Sequence, residues 1–134
     1  MRLDRPHVEV RHDPQADVVM FRMWGRVTAD DIIRAIEDHF RDHRTRFAIW
    51  DFRRVDLNGI GAADLVRIAG RSRDASETRE APRTALVMRD EANFLLGRLY
   101  GAVAESALSP IEHRIFFHLP GAFEWLGIEN PFRD

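Results

Sequence analysis

His39 and His43 stand four residues apart in a segment that reads as the end of a helix, so both imidazoles fall on one face. That spacing can hold a transition-metal ion. The glutamate that follows the first histidine in helical zinc-protease motifs is replaced by Phe40, and the sequence offers no third ligand nearby. The expectation is two histidines beside the C-terminal dipole of a helix, with no metal and no cofactor.

Asp51 ends an apolar run and precedes a loop containing Gly59-Ile60-Gly61. Ligands of open α/β sheets gather at strand C-termini. Asp51, Asn58, Gly59, Gly61 and Asp64 therefore make the candidate polar corner of a site. The third glycine position of a dinucleotide fingerprint is Asp64, which excludes that motif. Ser72, Ser76, Ser106 and Ser109 sit in no nucleophile motif. The neighbouring acids Asp30–Asp31 and Glu37–Asp38 fall on a helix surface open to water. No catalytic residue is assigned, and the chain reads as a non-enzyme, with a small hydrolase as the alternative. Arg67, Arg71, Arg73 and Arg79 can face anionic lipid or an acidic partner. The interleaved Asp74, Glu77 and Glu80 make a salt-bridged surface the expectation.

Composition narrows the chemistry further. Every one of the 20 basic side chains other than histidine is an arginine. Without lysine there is no Schiff-base chemistry and no P-loop lysine. Without cysteine there is no thiol nucleophile, no disulfide and no Cys-ligated zinc. A net charge of −2 argues against a nucleic-acid backbone as partner. No apolar run reaches the roughly 20 residues of a membrane helix, and Met1 to Pro6 lacks a signal-peptide core. The expectation is a cytoplasmic protein that does not span a membrane, with residues 1–134 forming one domain.

The elements that would position these groups follow from periodicity. His7 to Asp13 alternates as a strand with one wet face, and Val18 to Trp24 returns as its hairpin partner. Thr28 reads as an N-cap with Asp31 completing a capping box, ahead of the stripe Ile32, Ile33, Ile36 and Phe40. Phe47 to Phe52 is a third strand. A second helix begins near Ala62 with Leu65, Ile68, Ala69 and Ser72 inward, and Glu80-Ala81-Pro82 ends it. Thr84 to Met88 is a fourth strand. Asp90 caps a third helix whose expected core stripe is Leu95, Leu96, Leu99, Val103 and Leu108. Arg114 to Phe117 is the fifth strand. Pro120 opens a last helix with Phe123 and Leu126 inward, and Gly127 closes it. The tail 129–134 is expected to be flexible. The order ββαβαβαβα implies an α/β fold with a mixed sheet whose later strands are parallel.

This order, with its apolar pattern, resembles STAS domains, the fold of bacterial anti-sigma factor antagonists. Within them it is most similar to the small free-standing SpoIIAA-like (STAS-like or CRAL-TRIO-like) proteins. Three segments carry the resemblance. Val18 to Asp30 runs through Trp24-Gly25-Arg26-Val27-Thr28. Ile49 to Leu65 begins Ile-Trp-Asp-Phe-Arg and continues to Asp56-Leu57. Ala85 to Tyr100 passes Arg89-Asp90 and ends Arg98-Leu99-Tyr100. The resemblance implies helices mainly on one sheet face and a phosphorylated serine at the start of the second helix. Here that region reads Asn58-Gly59-Ile60-Gly61-Ala62-Ala63-Asp64, without serine, threonine or cysteine. A phosphoswitch needs a hydroxyl to charge, so none can operate there, and Asp64 reads as a first-turn acid favoured by the helix dipole.

The second, third and fourth strands are apolar on both faces. With helices on one face, apolar surface is left on the other. Val19, Phe21, Met23, Trp24, Trp50, Met88 and Phe116 are its candidates, to be hidden by side-chain packing in the core, by a ligand or by another subunit. The functional expectation is a non-catalytic interaction module that self-associates as a homodimer or binds another protein. The alternative is a carrier of a lipid or other apolar small molecule, which requires an enclosed cavity of ~300 Å³ or more.

Overall fold

The computed structural model describes residues 7–132. Five strands form one sheet in the order β1-β2-β3-β4-β5. They are β1 (His7–Asp13), β2 (Val18–Arg26), β3 (Phe47–Asp56), β4 (Arg83–Val87) and β5 (Glu112–Phe116). β1 and β2 pair antiparallel, and every later pair is parallel. The helices are α1 (Ala29–Phe40), α2 (Ala62–Ala75), α3 (Glu91–Ser106) and α4 (Leu119–Leu126).

Helix placement follows from strand order. From β2 onward each strand is added beside its predecessor in the same direction, with no reversal. Right-handed crossovers then put every connecting helix on the same face. α1, α2 and α3 accordingly share one face, and only α4, which follows the last strand, packs on the opposite one against β3, β4 and β5. The mixed sheet is the one the element order implies, and helices mainly on one face are what the resemblance implies.

Two apolar layers result, and strand alternation sorts residues between them. Val19, Phe21, Met23, Ala48, Trp50, Phe52, Leu86 and Met88 face α1 and α2. Val18, Met20, Phe47, Ile49, Ala85 and Val87 face Ala122, Phe123 and Leu126 of α4. A register shift between Arg22 and Trp24 opposite β3 resets the alternation. Phe52 and Val55, three residues apart, thus both face the α1–α2 side.

Local signals set the helix ends. Thr28 Oγ1 accepts the Asp31 N–H at 3.2 Å while an Asp31 carboxylate oxygen accepts the Thr28 N–H at 2.8 Å. Asp90 caps α3 through the Asn93 N–H at 3.0 Å. Gly127, at φ 75°, ends α4 in the left-handed conformation that favours glycine.

Two expectations need correction. α3 buries only part of its expected stripe: Leu96 packs against the core, but Leu95 is 64% and Leu99 50% exposed, and Leu108, past the end of α3, is 85% exposed. Gly97 and Ala104, seven residues apart, are buried instead. A Cβ at Gly97 would come within 3.1 Å of the Met88 methyl and 3.2 Å of Ile115. The smallest side chains thus allow the closest approach of helix to sheet and decide the rotation of α3. The C-terminal tail is anchored as far as Phe132, which packs against the α4 layer beside Phe123. Residues 133 and 134 lie outside the described residues.

Candidate functional site

The polar corner expected around Asp51 is divided by the sheet. β3 runs on to Asp56, so Asp51 lies in mid-strand, about 16 Å of extended chain before the loop. Its side chain faces the α4 side, whereas the loop leads into α2 on the other. Asp51 is 3% exposed. Its carboxylate accepts Arg53 Nε at 2.9 Å, an Arg53 terminal nitrogen at 2.9 Å and the Arg53 backbone N–H at 3.2 Å. Arg22 Nε lies 3.3 Å away and Glu9 stands beyond Arg22 at 3.9 Å. Burial opposes ionisation of Asp51, but the hydrogen bonds and charge of Arg53, with the charge of Arg22, hold its carboxyl below the ordinary range. The bulge takes a backbone group out of the ladder, and Asp51 receives the Arg53 N–H there.

The other corner residues are occupied with turn and cap geometry. The Asn58 N–H donates to Asp56 at 2.9 Å, and the Gly61 N–H to Asp64 at 3.0 Å. Asp64 also pairs with Arg67 at 3.4 Å. Neither Gly59 nor Gly61 has a positive φ, and a Cβ on either would meet nothing within 4 Å. The rule that places ligands at strand C-termini depends on a reversal of strand order that opens a crevice. This sheet has none, so Asp51, Asn58, Gly59, Gly61 and Asp64 are not gathered into one site.

The seven candidate apolar residues are likewise not one surface. Val19, Phe21, Met23, Trp50 and Met88 are buried beneath the three-helix face, with Phe21 and Trp50 rings stacked at 4.0 Å. Trp24 lies at the antiparallel edge against His7, 4.9 Å between ring centroids. Phe116 is half-buried beside Trp125 on the α4 side. α4 covers the face that was expected to be bare.

Exposed apolar surface occurs on α3 instead. Ala92, Leu95, Leu99 and Ala102 are all exposed, and their 3-4-3 spacing aligns them along the helix. Exposed Phe117 stacks on Phe94 at 5.2 Å, beside the same helix. Val66 of α2 is 60% exposed. It shares a stripe with Arg73, whose guanidinium donates to the Ala107 carbonyl at the end of α3 at 3.0 Å.

Beneath α2 and α3 lies a cavity of about 60 Å³, walled by Trp50 and Ile68 together with the polar groups of Ser72, Thr84, Tyr100 and His113. The volume is several-fold below the ~300 Å³ at which small-molecule pockets begin, so it gives the carrier reading no support. Burial pushes the Tyr100 hydroxyl up to about 12, partly offset by its hydrogen bond with Ser72. Burial, reinforced by the charge of Arg79, pushes His113 down to about 4.

The His113 shift has a consequence for stability. Its folded pKa lies below the ordinary histidine value near 6.5, so the fold favours the neutral ring. The stabilisation is complete above about pH 6.5 and is lost as pH falls toward 4, where the unfolded chain takes up the proton first. The slope from this group is at most about 1.4 kcal/mol per pH unit. Urea melts between about pH 7.5 and 4.5, which span that window, should show the slope, and His113→Leu should reduce it, leaving the share of His39 and His12. An unchanged slope in the variant would show that His113 takes up its proton alike in the folded and unfolded chain.

Arg79, expected on an exposed helical face, is 7% exposed. Its guanidinium donates to the Thr45 carbonyl at 2.6 Å, the Arg46 carbonyl at 2.8 Å and Ser76 Oγ at 2.9 Å. It also lies 4.5 Å over the Phe40 ring. Burial lowers its pKa to about 10, so it stays charged at neutral pH. Arg67 and Arg71 meet Asp30 and Glu37 of α1, and Arg73 meets Asp74. The salt-bridged surface expected of this region holds for these three.

The pair His39 and His43 gains a third imidazole that the sequence did not place. The β1–β2 hairpin brings His12 beside them, and one ring nitrogen from each lies within 4.8 Å of the others. Thr45 Oγ1 is 2.8 Å from His39 Nε2 and 3.2 Å from His12 Nε2. Burial lowers the pKa of His39 to about 4, with the other two imidazoles and Arg79 acting in the same direction. Burial, then His43, lowers that of His12. The signal was hidden because His12 and His39 lie on different elements, far apart in the chain, and meet only through sheet and crossover.

Comparison with protein-family models and with curated proteins finds no match. Among solved structures, the chain is similar to an anti-sigma factor antagonist from Mycobacterium paratuberculosis. The two share 16% identity over 92% of this chain and 96% of that one, with a TM-score of 0.64. It is also similar to an uncharacterized protein of the DUF3478 family with a SpoIIAA-like fold from Shewanella loihica PV-4. There the identity is 19% over 94% and 97% of the two chains, with a TM-score of 0.59. The fold of this chain is therefore the STAS, SpoIIAA-like one.

Proposed function

We propose that this protein is a non-catalytic interaction module that works without a phosphoswitch and pairs with a second copy of itself through α3. The observation that carries the reading is the exposed seam Ala92, Leu95, Leu99 and Ala102. Its 3-4-3 spacing is that of a coiled-coil a/d seam. The seam is also self-complementary. Two antiparallel copies of α3 related by a two-fold axis at the level of Gly97 would set Leu95 against Leu99 of the other copy, and Ala92 against Ala102. That is the isologous contact of a symmetric dimer. The same register brings Glu105 of one copy toward Arg89 of the other. The likeness to an anti-sigma factor antagonist supports a protein partner over a small-molecule substrate. The absence of a hydroxyl from 58 to 64 sets this chain apart from a serine-switched module.

Light scattering after size exclusion at about 50 μM, a concentration that populates a dimer of micromolar Kd, should report a dimer. Leu95→Glu with Leu99→Glu should report a monomer with unchanged circular dichroism, because both side chains are exposed and outside the core. A monomeric wild-type chain, or a dimer that survives both substitutions, would overturn the α3 pairing. Cytoplasmic residence belongs to the same proposal. Among the described residues no helix is long and apolar enough to cross a membrane.

A further inference from the structure

The geometry points to a transition-metal site formed by His12, His39 and His43, which accepts Zn²⁺ with one coordination position left open. Three elements converge there: the end of β1, the last turn of α1 and the turn that follows it. Ring centroids are separated by 4.8 Å for His12–His39, 4.5 Å for His12–His43 and 4.8 Å for His39–His43. Three imidazoles crowded in this way need a reason, since each would hydrogen-bond as well with water.

Ligand nitrogens 2.0–2.1 Å from a tetrahedral zinc are about 3.4 Å apart. The nitrogens here lie within 4.8 Å, so a closure of roughly 1.4 Å completes the set. His43 is exposed and can supply that movement by side-chain rotation. His12 and His39 already converge, because both Nε2 atoms approach the single hydroxyl of Thr45, which a metal held through them would displace. That hydroxyl has one proton. It can donate to one imidazole and must accept an N–H from the other. One Nε2 is therefore already a bare lone pair, the form a metal takes up, and the other needs only a change of tautomer.

The donor set selects the class of ion. Imidazoles suit Zn²⁺, Cu²⁺ and Ni²⁺ and are poor ligands for Mg²⁺ or Ca²⁺. Three histidines with a free fourth position are a recognised zinc arrangement. His39 and His43 also line an open groove of about 420 Å³ between β1 and α1, with Val8, Val10 and Ala35 on its walls. An ion has a route in from solvent, and water or a small donor can occupy the fourth position.

The test uses the full chain stripped with a chelator and then titrated calorimetrically with ZnCl₂, and separately with CoCl₂ followed by visible absorption. One Zn²⁺ per chain and an intense four-coordinate Co²⁺ spectrum are expected. His43→Ala is the safest variant, since the ring is exposed. His12→Gln is the second, and His118→Ala, at an exposed histidine elsewhere, is the control. Losing a ligand should weaken zinc binding by more than the about 10- to 100-fold that loss of an outer-shell partner costs. The control should bind as the wild type does, and circular dichroism checks that each variant is folded. Wild-type affinity no better than that of His43→Ala, or binding lost equally in the control, would overturn the site. The result is independent of α3 pairing, which the seam variants probe separately.

Discussion

Replacing Arg79 by alanine is expected to cost about 4 kcal/mol, the range of a broken buried polar network. The reason lies in what the guanidinium serves. It donates to two backbone carbonyls of the segment between α1 and β3 and to Ser76 of the segment after α2. It ties those two connections together while its face rests on Phe40. A hydrogen bond to a charged group is worth about 1.5–3 kcal/mol, and each acceptor left dry costs about 1–3. Against this stands relief from burying a cation without a carboxylate at bonding distance, which is why the sum of the three bonds is not the expected loss. Arg79→Met separates the contributions. It keeps the apolar stem and discards the charge, and should cost about half as much. Urea denaturation followed by tryptophan fluorescence measures both. A loss below about 0.5 kcal/mol for alanine, the size of an ordinary surface substitution, would show that the hydrogen bonds only offset the cost of burying the cation.

Asp51→Ala is expected to cost about 3 kcal/mol at neutral pH, the low end of the range for breaking a buried ion pair. The low end applies because the Arg53 side chain is 32% exposed and water can screen part of its charge. Removing the carboxylate leaves Arg22 facing Arg53, and withdraws the acceptor that holds the Arg53 N–H at the bulge. Asp51→Asn keeps one acceptor oxygen and should lose less. The pH dependence has a definite sign. The carboxyl is held below its ordinary range, so its stabilisation is present above the unfolded carboxylate value near 4. It is lost as pH falls through the lower folded value. The wild-type chain should therefore lose more stability below about pH 4 than Asp51→Asn does. Equal acid limbs in the two would assign that limb to other carboxylates.

Much of this molecule was legible in its sequence, because the relevant signals are local. Thr28 with Asp31, Asp90 before its helix, and Gly127 after the last one each act within a turn of chain. The order of strands and helices followed from runs whose period distinguishes 2 from 3.6. Helices mainly on one face came from the resemblance, and the strand order within the sheet accounts for it through right-handed crossovers. The missing hydroxyl between 58 and 64 is a sequence fact that no folding alters.

The rest depended on distances that the sequence does not contain. Apolar residues flank α3 on more than one side, so its rotation was settled by the closeness of Gly97 to Met88 and Ile115, which exposed Leu95 and Leu99. Asp51 sat well up the strand from the loop it was grouped with, because β3 extends past it to Asp56. Val19, Phe21, Met23, Trp50 and Met88 were consigned to the core, and α4 closed the opposite face. Arg79 was drawn inward by the carbonyls of Thr45 and Arg46, which lie far from it along the chain. His12 joined His39 and His43 through the hairpin and the β2–α1 connection. Periodicity determines which face of an element a side chain occupies; only packing determines what waits there, because contact energies act across space and not along the chain.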